Sequence, residues 1–279
     1  MRCSGPRTSR ASATLSSNAV LRRGVHGGRA GTNRPFLRTF ALALALVGFA
    51  ASGCGGAQRP TLAPAPPTTP AVRAPAPQPK GESIVATALH RSVAVYRTAH
   101  GKAPYLHLAN PTASGAPLVF LVKHREGAWD QVYLPVRPND STGWVRDADV
   151  SLARNAYSLQ VRLREHQLVL RKNARVVRRF RAAVGRSVLP TPTGRYYIVE
   201  LLKQPDPTGP YGPYAFGLSA FSNVLYSFGG GPGQIGIHGT NVASSIGHSQ
   251  SHGCIRISNA AITRLAKQLP LGTPVTIAN

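Results

Sequence analysis

Acidic residues are scarce in this sequence, and none occurs after Asp206. The 279 residues include nine Asp and Glu against 33 Lys and Arg, which gives a formal net charge of +24. The segment that follows Asp206 nevertheless contains a cysteine and three histidines. Because no carboxylate lies near them in sequence, a Cys–His pair there cannot recruit a local acid as the third member of a triad. The sequence therefore excludes a local carboxylate triad.

An apolar run long enough to span a membrane is also missing. The run Phe40–Ala51 is shorter than the roughly 20 residues that a membrane-spanning helix needs. It follows a segment with eight arginines and no acid, the pattern of a signal peptide. It ends at Ala50-Ala51-Ser52-Gly53-Cys54-Gly55, which resembles the site where bacterial lipoproteins are cleaved and acylated on cysteine. We predict a lipoprotein-type signal peptide over residues 1–53 and a lipid on Cys54, with ordinary cleavage or an uncleaved anchor as alternatives.

The predicted export limits which partners the protein can meet and how its cysteines can be used. Without the eight arginines of the signal peptide, 25 basic residues remain against nine acidic ones, a net charge of +16. An exported basic protein meets an anionic wall polymer or membrane surface rather than nucleic acid, unless the charge reflects composition alone. Of the three cysteines, Cys3 lies in the signal segment and Cys54 at the lipid site, so Cys254 has no disulfide partner. A lone thiol in an oxidising compartment suggests a chemical use.

Proline content and strand patterns divide the exported part into three regions. Residues 54–81 are rich in Pro, Ala and Thr, which predicts an extended spacer. Residues 82–151 contain short apolar runs, turns such as Thr142-Gly143, and a Gly143-Trp144-Val145 segment that resemble a bacterial SH3-like module. A connector at Arg154-Asn155-Ala156 leads into a second β-rich domain, 155–279. The predicted fold class is mainly β: a small SH3-like barrel, then a β-rich catalytic domain with one or two short helices.

Two features of the second domain are predicted beyond its strands. Residues 203–233 carry many Pro, Gly and aromatic residues, which predicts an irregular lid or groove wall. Residues Ala260–Leu269 have an apolar face at helical spacing after a capping Ser258 or Asn259, which predicts a helix.

The chemistry concentrates in Ile237-His238-Gly239-Thr240 and Ser251-His252-Gly253-Cys254-Ile255-Arg256. We predict that Cys254 is a nucleophile and that His238, 16 positions earlier, is its base. The glycines allow close backbone approach, and amides around Gly253-Cys254 could face an oxyanion. Ser251 and His252 are candidates for pocket roles, and Arg256 for binding a substrate carboxylate. The alternatives are a buried structural cysteine, or a zinc site built from His238, His248, His252 and Cys254, although no nearby Glu could serve as its acid–base group.

These two motifs, together with Ser245-Ile246-Gly247 and Pro192-Thr193-Gly194, resemble the L,D-transpeptidase (YkuD-like) catalytic domain family. The resemblance implies that Cys254 is acylated, that His238 is the proton acceptor and donor, and that the carbonyl of Gly239 orients it. It also implies substrate contacts around Ser251, His252, Gly253 and Arg256, and no cofactor or metal. The family often has an acid where this chain has Ala261, which leaves a contact at the helix start open.

For function, the resemblance implies cell-wall synthesis in the envelope of a bacterium. Cys254 would attack the diaminopimelate carbonyl of a tetrapeptide stem and release D-Ala, and an acceptor amine would then complete a 3–3 cross-link. A lipid-anchored protein facing the wall is expected, with peptidoglycan stems as partners. Two alternatives remain at this point: an L,D-carboxypeptidase that uses water as acceptor, and a non-catalytic wall-binding lipoprotein.

Overall fold

The computed structural model describes residues 81–228 and 230–279. The predicted signal peptide, the lipid site at Cys54 and the linker up to residue 80 lie outside the described residues. In the described ranges no helix has both the length and the apolar character needed to cross a bilayer.

Residues 83–155 form an antiparallel five-stranded sheet and a hairpin. Their seven strands are β1 (Ser83–Ala88), β2 (Ser92–Val95), β3 (Leu106–Ala109), β4 (Val119–Glu126), β5 (Trp129–Tyr133), β6 (Thr142–Arg146) and β7 (Val150–Asn155). The sheet order is β6-β5-β4-β1-β7, and β2 pairs with β3. Alternating apolar residues such as Val93, Phe120 and Val145 fill a core of their own. The mainly β prediction is confirmed here, while the SH3-like identity of this region stays a prediction.

The second region is built on an eight-stranded sheet in the order β10-β9-β8-β17-β12-β13-β14-β16. The remaining elements are β8 (Tyr157–Arg162), β9 (Gln167–Lys172), β10 (Arg175–Arg181), β11 (Val184–Gly185), β12 (Gly194–Lys203), β13 (Tyr214–Phe221), β14 (Gln234–His238), β15 (Ser249–Ser251), β16 (Ile255–Arg256), α1 (Asn259–Ala266) and β17 (Pro274–Ala278). Most neighbouring strands are antiparallel, but β17 with β8 and β14 with β16 are parallel. The parallel β14–β16 pair is the one that carries both sequence motifs.

Helix α1 follows the motif and packs its apolar face into the main core. Ser258 caps it, because its Oγ accepts a hydrogen bond from the Ala261 N–H at 3.2 Å. Ala261, Ile262 and Leu265 are buried against the sheet. The predicted helix is confirmed, with Ser258 rather than Asn259 as the cap. It anchors the end of β16 and thereby the motif.

Three local predictions need correction. Thr142-Gly143, predicted as a turn, begins strand β6, because Thr142 and Gly143 pair with Tyr133 and Val132. Arg154 and Asn155, predicted as a connector, continue β7 along β1. The 203–233 stretch is not irregular throughout, since it contains the eight-residue strand β13, paired on both sides. In each case pairing with a distant strand overrides a local turn or loop signal.

The two sheets touch through a small apolar cluster around Tyr197. Its ring is fully buried beside Val85, Val119 and Leu121, and its hydroxyl donates to the Tyr133 carbonyl oxygen at 3.0 Å. Burial places the pKa of Tyr197 well above its usual value, so this hydroxyl remains a donor. Asn155 Nδ2 adds a buried bond to Thr273 Oγ1 at 2.9 Å. The first sheet is therefore packed against the one that carries the motif.

Candidate active site

Strand pairing brings the thiol next to the strand of the predicted base. Strands β14 and β16 run parallel, with Ile237 opposite Ile255 and His238 opposite Arg256. Cys254 immediately precedes β16, and its Sγ accepts a hydrogen bond from the Gly236 N–H at 3.3 Å. Because side chains alternate along a strand, buried Ile235 and Ile237 face the core, while Gly236 and His238 share the other face. The sheet therefore places Cys254 beside the face that carries His238.

His238 is oriented by its own backbone neighbour. Its Nδ1 lies 2.6 Å from the carbonyl oxygen of Gly239, so Nδ1–H donates and Nε2 retains the lone pair. The side chain is 4% exposed. Burial lowers the pKa of His238 to about 4, against the effect of the Gly239 carbonyl and with a smaller contribution from Arg256. The imidazole is therefore neutral at neutral pH and can accept a proton.

The thiol is held in its protonated form in the resting site. Burial raises the pKa of Cys254, while the Gly236 N–H and the charge of Arg256 act in the opposite direction. A neutral thiol beside a neutral imidazole differs from a preformed thiolate–imidazolium pair. Proton transfer must then accompany attack on a carbonyl.

The Ser251–Cys254 loop is held by hydrogen bonds within the loop and by one from Thr191. Ser251 is fully buried, donates from Oγ to the Cys254 carbonyl oxygen at 2.6 Å and accepts from the Gly253 N–H at 3.1 Å. Thr191 Oγ1 donates to the Gly253 carbonyl at 2.8 Å. The hydroxyl of Ser251, a predicted substrate contact, is buried and engaged in the loop, so it holds the shape of the loop; its role toward substrate stays a prediction. The Gly253 N–H is likewise engaged, by the Ser251 hydroxyl.

Gly253 requires a conformation that L-residues avoid. Its φ is +118°, and a Cβ there would approach Ile235 Cδ1 to 3.0 Å. We expect Gly253→Ala to lower the free energy of unfolding by about 1–3 kcal/mol, measured by urea denaturation. Gly115→Ala is the matched control, because Gly115 also has a positive φ (+82°) but no atom within 4 Å of the added Cβ. An equal or smaller loss at position 253 would contradict the expectation.

Arg256 and His252 lie on either side of the thiol in sequence and have different environments. Arg256 is half-buried, and its Nε is buried without a hydrogen-bond partner among the described residues. It pairs with His238 across the two strands, and a guanidinium charge at this position suits a carboxylate ligand. His252 is exposed and stacks on Phe228, with ring centroids 5.5 Å apart. His252 therefore lies at the mouth of the site rather than at its bottom.

Several functional contacts could not be found from the motif alone. The Gly236 donor to Sγ is one, and the ring of Tyr211 against His238, with centroids 4.9 Å apart, is another. Asn259 Oδ1 accepts from the Thr240 N–H at 2.8 Å, a contact that ties α1 to the segment after His238. The only sequence signal for Tyr211 was its place in the aromatic-rich stretch 203–233. Asn259 therefore makes a contact at the start of the helix, while the contact of the acid that Ala261 replaces stays open.

The pH dependence of stability should report the buried state of His238. Below pH 6.5 the unfolded chain protonates this imidazole, whereas the folded protein resists protonation down to about pH 4. Its contribution is therefore present above pH 6.5 and lost as the pH falls toward 4, by about 3 kcal/mol. We expect the stability difference between wild type and His238→Asn, from urea denaturation at each pH, to shrink by this amount between pH 7 and pH 4.

Taking the difference between the two proteins removes other titrating groups. Burial raises the pKa of Asp130 to about 6, so its effect on stability changes with pH in the opposite direction to that of His238. This effect is the same in both proteins and cancels in the difference. Asn can also keep a side-chain N–H for the Gly239 carbonyl. A stability difference that does not change with pH would contradict a buried, neutral His238.

The zinc alternative finds no ligand set in the described residues. Among residues 81–228 and 230–279, no three His, Cys, Asp or Glu side chains group in a way that could hold a metal ion. His238, His248, His252 and Cys254 therefore do not form the four-ligand cluster that a structural zinc requires.

Comparison with known proteins points to one family. Residues 156–277 match the model of the YkuD L,D-transpeptidase catalytic domain. The putative L,D-transpeptidases YkuD of Bacillus subtilis and Bacillus licheniformis are each 39% identical over 121 residues, 43% of this chain and 65% of theirs. The chain thus spans slightly less than two thirds of these relatives. An L,D-transpeptidase structure from Mycobacterium smegmatis is 15% identical, with a TM-score of 0.39, over 59% of this chain and 92% of that one.

Proposed function

We propose that the protein is a peptidoglycan L,D-transpeptidase with Cys254 as its nucleophile, because residues 156–277 match the model of the YkuD L,D-transpeptidase catalytic domain. The observation that carries this proposal is the position of the Cys254 thiol against Gly236, two residues before a buried His238 whose Nδ1 lies against the Gly239 carbonyl. A backbone carbonyl replaces the carboxylate that the segment lacks. The pair is suited to acyl transfer through a thioester.

In the first half-reaction, Sγ of Cys254 attacks the carbonyl carbon of the third residue of a tetrapeptide stem, which the family pattern suggests is diaminopimelate. The S–C bond forms and the C–N bond to D-Ala breaks. His238 Nε2 takes the thiol proton and passes it to the departing amine. The Cys254 N–H is the donor that we assign to the carbonyl oxygen as negative charge develops on it.

In the second half-reaction, the side-chain amine of another stem attacks the thioester. The new C–N bond forms, the C–S bond breaks, and His238 takes a proton from the amine and returns one to the sulfur. We assign Arg256 to a carboxylate of the donor stem, because it pairs with His238 across β14 and β16, lies two residues after Cys254 and carries a positive charge.

The experiment is incubation of the full-length protein with purified disaccharide tetrapeptide, followed by mass analysis of the protein and of the products. We expect a thioester adduct on the protein, released D-Ala, and a cross-linked tetrapeptide–tripeptide dimer. Tripeptide monomer without dimer would indicate a carboxypeptidase and contradict the transpeptidase proposal. Absence of both adduct and product would contradict either enzyme and favour a wall-binding role.

We further propose that the protein acts at the cell envelope, anchored through a lipid on Cys54. The support is the basic and apolar pattern of residues 1–53 that ends at this cysteine. Cys54→Ser should move the protein from the membrane fraction to the soluble exported fraction and remove its lipid-dependent mass. An unchanged distribution would contradict lipidation.

A further inference from the structure

A loop of the first sheet reaches across to the segment that borders the active site. The loop between β5 and β6 carries Arg137 and Asn139. Both contact residues 221–228 and 230–233, the connection between β13 and β14, which we call the flap. The flap contains no charged residue of its own. The guanidinium of Arg137 therefore brings a positive charge against a segment that has no charge of its own.

Arg137 fills a ring of carbonyl oxygens drawn from both limbs of the flap. Its Nη1 donates to the Ser222 carbonyl oxygen at 2.8 Å, and its Nη2 donates to the carbonyl oxygens of Leu225 at 3.1 Å and Pro232 at 2.9 Å. Ser222 and Leu225 belong to the outgoing limb and Pro232 to the returning one. Without the guanidinium, three carbonyl dipoles would converge on one point with no donor between them.

Aromatic rings and a reciprocal amide pair complete the contact. The Arg137 guanidinium carbon lies 5.0 Å from the ring centroid of Phe221 and 4.7 Å from that of Tyr226. Asn139 donates from Nδ2 to the Phe221 carbonyl at 2.8 Å and accepts from the Phe221 N–H at 2.9 Å. The amide pairs with Phe221 as a neighbouring strand would, and continues the edge of β13.

The flap in turn reaches the thiol loop. Phe228, near the tip, stacks on His252, with an interplanar angle of 29°. His252 is two residues before Cys254. A continuous set of contacts therefore runs from Arg137 through the flap to the mouth of the site, where a bound stem would lie.

We propose that Arg137 and Asn139 are positioning residues that hold the flap as a wall of the donor groove. They determine how tightly the stem peptide binds and leave the acyl-transfer step unchanged. The substrate in this inference is the one in the proposed function, and the inference rests on that function in this respect. The clamp itself is a property of the fold and can be measured without substrate.

The test compares full-length wild type with Arg137→Ala, Arg137→Lys and Asn139→Ala. Hydrogen exchange of flap peptides should be about tenfold faster in Arg137→Ala, and less so in Arg137→Lys, since an ammonium cannot match a planar fork. KM for the tetrapeptide donor should rise about tenfold with kcat within about twofold. Asn139→Ala should increase flap exchange and KM by less than Arg137→Ala does. It serves as the second variant if Arg137→Ala unfolds.

Arg97→Ala is the matched control. Arg97 is an exposed cation that, like Arg137, lies over an aromatic ring, 4.4 Å from the Tyr105 centroid, and the described residues show no contact between it and the flap. It should change neither exchange nor KM. Unchanged flap exchange in Arg137→Ala, or a loss confined to kcat, would overturn the inference. If wild type forms no acyl-enzyme, the proposed function fails, and the exchange comparison still decides whether the clamp exists.

Discussion

Replacement of Cys254 with alanine should abolish acyl-enzyme formation. Cys254 is a free cysteine, and its sulfur lies within hydrogen-bonding distance of the Gly236 N–H, on the face that carries His238. Without sulfur no thioester can form, so turnover should fall on the order of 10³-fold or more. Intact-mass analysis after incubation with a tetrapeptide stem or a carbapenem should show no adduct on this variant.

Two further variants separate chemistry from folding. Cys254→Ser preserves the size of the side chain but replaces the thiol with a far weaker nucleophile, so it should unfold at the wild-type temperature and remain inactive. Cys54→Ser removes the predicted lipid site and should retain the adduct on Cys254. An adduct that persists in Cys254→Ala would rule out this residue as the nucleophile.

Loss of the imidazole at position 238 should lower the acylation rate, with the second largest effect after loss of Cys254. His238→Asn can still donate a hydrogen bond to the Gly239 carbonyl but cannot accept the thiol proton. We expect the acylation rate at pH 7 to fall by about 10²–10⁴-fold, the usual contribution of a general base. Stopped-flow or quenched mass analysis of carbapenem acylation gives this rate directly.

The pH profile distinguishes a lost base from a damaged site. Wild type should lose acylation only below about pH 4 to 5, because the pKa of His238 is lowered to about 4. In His238→Asn the rate should instead climb about tenfold per pH unit through the neutral range, as hydroxide generates the thiolate whose pKa burial has raised. A variant that is equally slow at every pH would argue that His238 has a structural role only.

The group that orients His238 could be anticipated from the sequence, whereas the catalytic roles of Cys254 and His238 stay predictions. The absence of acid after Asp206 excluded a local carboxylate, and the family resemblance implied the carbonyl of Gly239. The Gly239 carbonyl indeed lies against Nδ1. The helix after the motif was also predictable, because its apolar spacing and its serine cap are local signals.

Long-range pairing explains what sequence reasoning missed. Strand β13 was hidden in a Pro-, Gly- and aromatic-rich stretch, and its two partner strands supply the hydrogen bonds that stabilise it. The complete burial of Ser251 also becomes visible only in three dimensions, although its two loop bonds are to Gly253 and Cys254, which are close in sequence. Neither the strand nor the burial is encoded in a window of neighbouring residues.

The order of amino acids specifies which groups are available for chemistry: a thiol, a histidine and no local acid. Their protonation and their surroundings depend on the folded chain. Desolvation by the packed sheet keeps both His238 and Cys254 neutral, and a loop about 85 residues earlier in the chain places Arg137 among the carbonyls of the flap. Burial and contact between distant segments depend on the folded chain, since both arise only when the sheets pack together.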